Sequence, residues 1–533
     1  MSPTLALLFF IVGIAGLFWL DRDGSVRTSK ALWLPIIWLS IAGSRSPFAW
    51  FGIGTPAEIL GQLPEASLPD QLLAGSLMLL GLVVLIQRRK EVASLLKASW
   101  PIVLYFSFCL FSLLWSDFPL WGFKRWVRAL GDIVMVLIVV TDAHPSAAFR
   151  RLVSRIGFVL LPVSVLLIRY YPAIGTGWDP WGQGQVFNGV TTNKNILGNL
   201  AYLIGLGALW QMLNLIRDKE QPNRRRHLLA QCTLLAFVIY LLYTAHCATA
   251  TACFIFGVGL MLALSLSLFR RRPAAVHALA LAILLGGGVM ALFGGKAAVS
   301  EALGRKPDLT GRTEIWKILI PMAPNPVGGA GFETFWVGPR VAQAYSQVGG
   351  LDRINEAHDG YIEVYLNLGF IGLGLIALLL GQGYFKAVQF FRRDPALGAL
   401  LVAYVATAVT YNITEAGFRM LHLEWFFLLL AVVAVNRPLR PQEAASESGP
   451  ELAAADRPLW ETRLSPSPAR IRAGAKTGLS ADSANDRSQR EEAPATQLLV
   501  GEKRTVVRDS HRASGSPYTF GPSRSNAKQG RNS

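Results

Sequence analysis

The chain is 533 residues long, 52% hydrophobic and only 16% charged, with a mean hydropathy of +0.38, whereas a soluble domain carries roughly 25% charged residues. This composition excludes a soluble globular enzyme and belongs to an integral membrane protein. The net charge of +17 could suggest nucleic acid, but the basic residues sit in short clusters beside apolar segments and in the C-terminal tail, so membrane topology explains them and no nucleic-acid partner is expected.

The apolar residues come in runs without alternation, which predicts an all-α, polytopic fold rather than a β-barrel. About 13 spans are expected, taking ~17–22 residues as sufficient: Thr4 to Leu20, Ala31 to Ser46, Gln71 to Ile86, Trp100 to Trp115, Trp126 to Thr141, Ile156 to Tyr171, Ile196 to Ile216, Leu228 to Tyr243, Ala248 to Phe269, Ala274 to Phe293, Tyr361 to Gly381, Leu397 to Tyr411 and Leu421 to Val435. Pro35 makes the second the weakest, so 12 to 13 helices are expected. The first is read as a retained span. It lacks a basic n-region, and Asp21-Arg22-Asp23 behind it is no small-residue cleavage site.

Lys and Arg alternate between loops as positive-inside topology requires. One set carries Arg22, Arg27 and Lys30; Arg88, Arg89, Lys90 and Lys97; Arg150, Arg151 and Arg155; Arg217, Lys219 and Arg224 to Arg226; Arg270 to Arg272; and Lys386, Arg392 and Arg393. That set is cytoplasmic. The other short loops carry only Arg45, Lys124, Arg125, Arg169, Lys194 and Arg419. Residues 1–436 are therefore the membrane domain. Residues 437–533, rich in Ala, Ser, Pro, Arg and Glu without amphipathic period, are expected to form a disordered cytoplasmic tail. Cys109, Cys232, Cys247 and Cys253 lie in or beside apolar segments without ligand spacing and read as packing residues.

The polar interval from Gly295 to Gly360 far exceeds the usual loop of ~4–6 residues, and loops that long are functional or disordered. Its aromatics, Trp316, Phe332, Phe335, Trp336 and Tyr345, can bury enough surface to order it. On the expected topology it lies outside the cytoplasm. Within it, His358 offers an imidazole near pKa ~6.5, suited to general-base work or to capping the next helix, with Glu356 and Asp359 placed to orient it or raise its pKa. Arg312, in Gly311-Arg312-Thr313, offers a donor fork suited to diphosphate oxygens. Gly328, Gly329 and Gly331 read as a closely packing turn, since no Gly-Lys-Ser/Thr follows. In the outer loop from Tyr171 to Asn195, Lys194 could meet an anionic head group or snorkel, and Trp178 and Trp181 could stack on sugars or belong to the interfacial belt. Lys124, Arg125 and Arg128 run against the positive-inside bias, which suggests an anionic partner or pairing with Asp117 or Asp132.

Taken together and in order, Gly-Arg-Thr-Glu-Ile-Trp, Pro-x-Gly-Gly-x-Gly-Phe-x-x-Phe-Trp, Ala-His-Asp-Gly-Tyr-Ile-Glu and the upstream Gly-Val-Thr-Thr-Asn-Lys-Asn-Ile-Leu-Gly resemble the O-antigen ligase and polymerase superfamily, most closely its exopolysaccharide-production branch. The resemblance runs from about residue 115 to residue 436. It implies a bacterial inner-membrane glycosyltransferase that takes a glycan from undecaprenyl diphosphate on the periplasmic side, without cofactor or metal because the donor is already activated, and delivers it to a growing glycan or to lipid A core. It also implies that His358 deprotonates the acceptor hydroxyl and Arg312 holds the diphosphate. Family members often carry Arg where this chain has Asn188 and His where it has Asn193. The second cation is then expected from Lys194, Arg169, Arg125 or Arg128, with Trp316 a further substrate contact. Asp359 stands where the family often has Asn, and is expected to point away from the site. The rival reading, a transporter or flippase of lipid-linked oligosaccharides, would place ionisable residues at mid-membrane in repeated, broken helices. No internal repeat is present, and the distinctive residues collect in outer loops.

Overall fold

The computed structural model describes residues 1–24, 26–52, 67–178, 184–266, 269, 274–279, 312–347 and 356–437. The tail beyond Arg437, the loop start from Gly295 to Gly311, Trp181 and most of the tenth expected span lie outside the described residues. Every other expected span contains a helix: α1 Pro3–Leu20, α2 Trp33–Ala42, α3 Leu68–Gln87, α4 Arg89–Ala98, α5 Trp100–Phe111, α6 Pro119–Val140, α7 Pro145–Tyr170, α8 Lys194–Arg217, α9 Arg224–Ala245, α10 Ala248–Ser265, then α11 Arg312–Leu319 and α12 Pro339–Gln347 in the long loop, and α13 Gly360–Arg393, α14 Pro395–Tyr411 and α15 Leu423–Ala434. The chain is an all-α polytopic membrane protein.

The helices in the expected spans differ in length and burial. Seven of the described helices are long and apolar enough to cross a membrane: α1, α3, α7, α8, α9, α10 and α13. The segment carrying Arg89, Lys90 and Lys97, read from sequence as a loop, is helix α4, bent 86° away from the helix that follows it. Helix α6 has the length but carries Lys124, Arg125, Arg128 and Asp132. Helices α14 and α15 are short, and at ~1.5 Å per residue the twelve residues of α15 reach only about 18 Å. Both are buried along nearly their whole length. A short helix and the irregular backbone beside it are tolerated at membrane depth when protein encloses them.

Helices α8, α14 and α15 form the centre, packed on α6, α7, α9, α10 and α13, while α1 and α3 keep Phe9, Val12, Leu79 and Val83 exposed on outward faces. Cys109, Cys247 and Cys253 are buried thiols, as expected of packing residues, and Cys232 is exposed. The loops sort into two ends. At one, Arg150 pairs with Asp23 at 2.7 Å, Arg151 with Thr28, and Lys386 with Asn436, so the basic loops share a face. At the other, Arg45 bonds Ile174 O at 2.6 Å, and residues 112–118, 171–178, 184–195, 312–347, 356–360 and 412–422 gather. A small antiparallel hairpin there pairs Thr176 with Phe187 and Trp178 with Gln185, leaving Trp178 exposed.

The glycine-rich segment packs closely, and against an unexpected partner. Helix α13 is broken at Gly369, whose φ of 64° and ψ of −161° are non-helical. The break frees backbone groups that the segment takes up: Ala330 and Gly331 donate to Leu366 O and Asn367 O at 3.0 and 2.9 Å, and Phe370 and Ile371 donate to Pro326 O and Val327 O at 2.9 and 3.2 Å. A Cβ at Gly369 would lie 2.2 Å from Val327 O, so only glycine fits.

Candidate active site

Ala357, just before the histidine, is held from both sides. Its N–H donates to Glu363 Oε2 at 3.0 Å, and its carbonyl accepts Trp316 Nε1–H at 2.8 Å. Glu363 also accepts Trp336 Nε1–H at 2.6 Å. With Ala357 fixed, His358 sits in the left-handed region at φ 51°, a conformation uncommon outside glycine. Asp359 then caps α13, its Oδ1 accepting the N–H groups of Tyr361 and Ile362, both at 2.9 Å. Burial pushes its carboxyl up to about 6 despite those bonds and Arg312. Gly360 donates to Asn412 O at 2.8 Å, and a Cβ there would collide with Asn412 Oδ1.

Asn412 organises the opposing loop. Its Oδ1 accepts Gly417 N–H and Phe418 N–H at 2.8 and 2.9 Å, folding Asn412-Ile413-Thr414-Glu415-Ala416-Gly417-Phe418-Arg419 back on itself. Asp132 pins the far end by accepting Leu421 N–H at 3.0 Å while also receiving Trp38 Nε1–H. The folded loop presents Glu415, Arg419 and His422.

These residues meet His358 and Arg312 in one chain of alternating charge. Arg312 contacts Glu415 Oε1 at 2.9 Å and Thr414 O. Glu415 Oε2 lies 3.7 Å from His358 Nδ1 and accepts Asn195 Nδ2–H at 3.0 Å. His358 Nδ1 lies 3.0 Å from Glu356 Oε1, and Glu356 Oε2 lies 2.8 Å from Arg419 Nη1. Burial alone would lower the imidazole, but Glu356 and Glu415 outweigh it and push His358 up to about 9. Burial would raise Glu356, yet His358 and Arg419 hold it well below the usual carboxylate range. His422 goes the other way: burial takes it down to about 4. Its Nδ1 accepts Glu424 N–H at 3.2 Å, so the neutral ring carries its proton on Nε2 and has no lone pair left to act as base.

The chain of charge borders a cavity of about 240 Å³, lined by Thr192, Asn193, Asn195, Glu333, Glu356, Tyr411, Glu415, Arg419 and His422 with apolar neighbours. Among the described residues, Glu356, His358 and Glu415 also place ligand atoms within 4.8 Å of one another, close enough to hold a metal ion. Both carboxylates already balance an arginine there.

The sequence-predicted residues divide. His358 and Arg312 come together through Glu415. Lys194 opens α8 between Asn193 and Asn195, which line the cavity. Arg169 lies over the Tyr240 ring at 5.4 Å and donates to its hydroxyl at 2.5 Å. Arg125 is buried and donates to Glu333 O, tying the long loop to α6. Arg128 is half-buried on the same helix. The expected acidic partners are engaged elsewhere: Asp117 by Arg340, Asp132 by Trp38 and Leu421. Trp316 positions Ala357, as above. Sequence reading missed Glu415, Asn195 and His422 and counted Arg419 only as a loop cation. The available signal was an acid, an amide and an arginine crowded between two apolar spans.

The fold and site define a class: a bent-helix membrane bundle whose loops bring an imidazole, two arginines and two carboxylates together beside one cavity. Residues 233–377 match the family model for O-antigen ligase, and that stretch contains both Arg312 and His358. The chain is also 26% identical over 414 residues to the exopolysaccharide production protein ExoQ of Rhizobium meliloti (strain 1021), covering 72% of this chain and 85% of that one. The resemblance drawn from the motifs therefore stands: this multi-pass membrane protein has a region that matches the O-antigen ligase model and is similar over most of its length to an exopolysaccharide-production protein.

Proposed function

We propose that the protein transfers or polymerises glycans from an undecaprenyl-diphosphate donor at the periplasmic face of the bacterial inner membrane, in building cell-surface polysaccharide. The observation that supports this most is the placement of Arg312 and His358 on the two oxygens of one carboxylate, Glu415, beside the cavity. The acceptor hydroxyl oxygen attacks the anomeric carbon, the bond from that carbon to the diphosphate oxygen breaks, and its electrons leave with undecaprenyl diphosphate. The acceptor proton passes to His358. A neutral ring that keeps its proton on Nδ1, 3.0 Å from Glu356 Oε1, leaves the Nε2 lone pair to take the acceptor proton. Arg312 stabilises the charge gathering on the departing diphosphate. The donor is activated by its diphosphate, so no metal or cofactor enters the reading.

To test it, the full chain is reconstituted in vesicles with lipid-linked glycan, and His358→Ala and Arg312→Ala are assayed for product. Loss of transfer in both is expected; normal polymer from both overturns the reading. Ligase and polymerase differ only in acceptor, lipid A core or another repeat unit. Gene disruption separates them: long chains retained on the carrier indicate a ligase, single repeat units a polymerase.

A further inference from the structure

The charge cluster is built symmetrically about His358. Glu415 gives one oxygen to Arg312 and the other to Nδ1, and Glu356 gives one oxygen to Arg419 and the other to the same Nδ1. Two arginine–carboxylate units thus flank one imidazole. Among the described residues, Arg419 is the only lysine or arginine on the cavity wall itself. Its guanidinium has five N–H donors in a planar fork, the form that matches phosphate oxygens.

The upstream residues on the cavity wall, Thr192, Asn193, Asn195 and Ile196, carry no positive charge. Asn193 lines the same cavity, but its side chain is neutral and caps Ile196 N–H at 2.9 Å. Arg169 and Arg125 are committed to Tyr240 and to the Glu333 carbonyl. The loop from Asn412, by contrast, is anchored at both ends by Asn412 and Asp132, which fixes where Arg419 emerges.

We propose, resting on the glycosyl-transfer reading above, that Arg419 is the second diphosphate-binding cation: Arg312 takes one phosphoryl group and Arg419 the other, with His358 between them. Glu415 and Glu356 are resident counter-anions that the diphosphate displaces from the two guanidinium groups. Two separated cations make a diphosphate a better ligand than a monophosphate, because the monophosphate satisfies only one of them.

The test is equilibrium binding to the full chain in vesicles, with undecaprenyl diphosphate and undecaprenyl monophosphate as probes. Wild type is expected to prefer the diphosphate. Arg419→Ala should weaken diphosphate binding about tenfold or more, the size of one charge-assisted contact, while leaving monophosphate binding nearly unchanged. Arg419→Lys should restore part of the preference. Glu356→Gln removes the partner of Arg419 but not the cation, and should bind the diphosphate at least as tightly as wild type. An Arg419→Ala protein that keeps the wild-type preference overturns the proposal, as does a Glu356→Gln protein that loses the preference, since the arginine would then act only through Glu356. If wild type shows no preference and Arg312→Ala binds like wild type, the glycosyl-transfer reading falls together with this one. Loss of binding in Arg312→Ala alone leaves that reading standing and removes only Arg419 from it.

Discussion

Glu363 and Glu356 both serve the segment Ala357-His358, yet they are satisfied in different ways. Glu363 is buried and receives only neutral donors: the indole of Trp336, the amide of Asn367 and the backbone of Ala357. Glu356 is partly exposed at the cavity and is matched by full charges, His358 and Arg419. Neutral donors around a buried carboxylate lock a backbone and have nothing to gain from a ligand. Opposed charges at a cavity wall can be exchanged for those of an incoming anion. The first arrangement fixes where the imidazole sits, and the second decides what state it is in.

The sharpest way to break that distinction is His358→Ala, expected to lower transfer by about 10²–10⁴-fold while the thermal midpoint in detergent stays near wild type. A collapse of the midpoint would make the histidine a structural residue like Glu363. Glu415→Gln should cost on the order of 100-fold in transfer, because Arg312 and His358 lose their common anchor and catalysis is sensitive to small misplacements. Glu363→Ala should act on the fold instead, lowering stability by about 1–3 kcal/mol through the unpaired donors it leaves, read as an earlier thermal transition.

A finer probe is pH. With His358 pushed up to about 9, only about one ring in a hundred is neutral at pH 7, so transfer should climb through neutrality, reach half its maximum near pH 9 and level off above it. Glu356 raises that pKa, so Glu356→Gln should move the ascending limb to lower pH. A limb that does not move would separate Glu356 from the base. The sign for stability is opposite: a group whose pKa is raised by folding stabilises fully below its ordinary ~6.5 and loses that contribution as pH rises through about 9. The smallest expected effect is that of chelation, which should leave transfer unchanged; a fall would assign a metal to Glu356, His358 and Glu415.

Much of the bundle was legible because apolar length and basic loop clusters are local properties, readable one segment at a time. His358 and Arg312 were legible through motif order. Glu415 was not, because its partners Arg312 and His358 are far away in the chain and no period encodes that pairing. Gly369 was hidden for another reason: a glycine inside the apolar run from Tyr361 to Gly381 looks like ordinary helix until its φ is known. The cations of α6 were legible as a departure from the positive-inside bias, but that Arg125 meets a backbone carbonyl, that of Glu333, was not, because no sequence pattern encodes so distant a contact.

The break at Gly369 bears on how the protein is made. Helix α13 enters a bilayer with backbone groups on both sides of the break lacking helical partners, and hydrocarbon offers none. Their partners lie at residues 326–331, which the ribosome has already completed when α13 emerges. Synthesis order thus delivers the docking segment before the helix that requires it. A chain with these two pieces transposed would have to insert an incomplete helix first and wait for its other half.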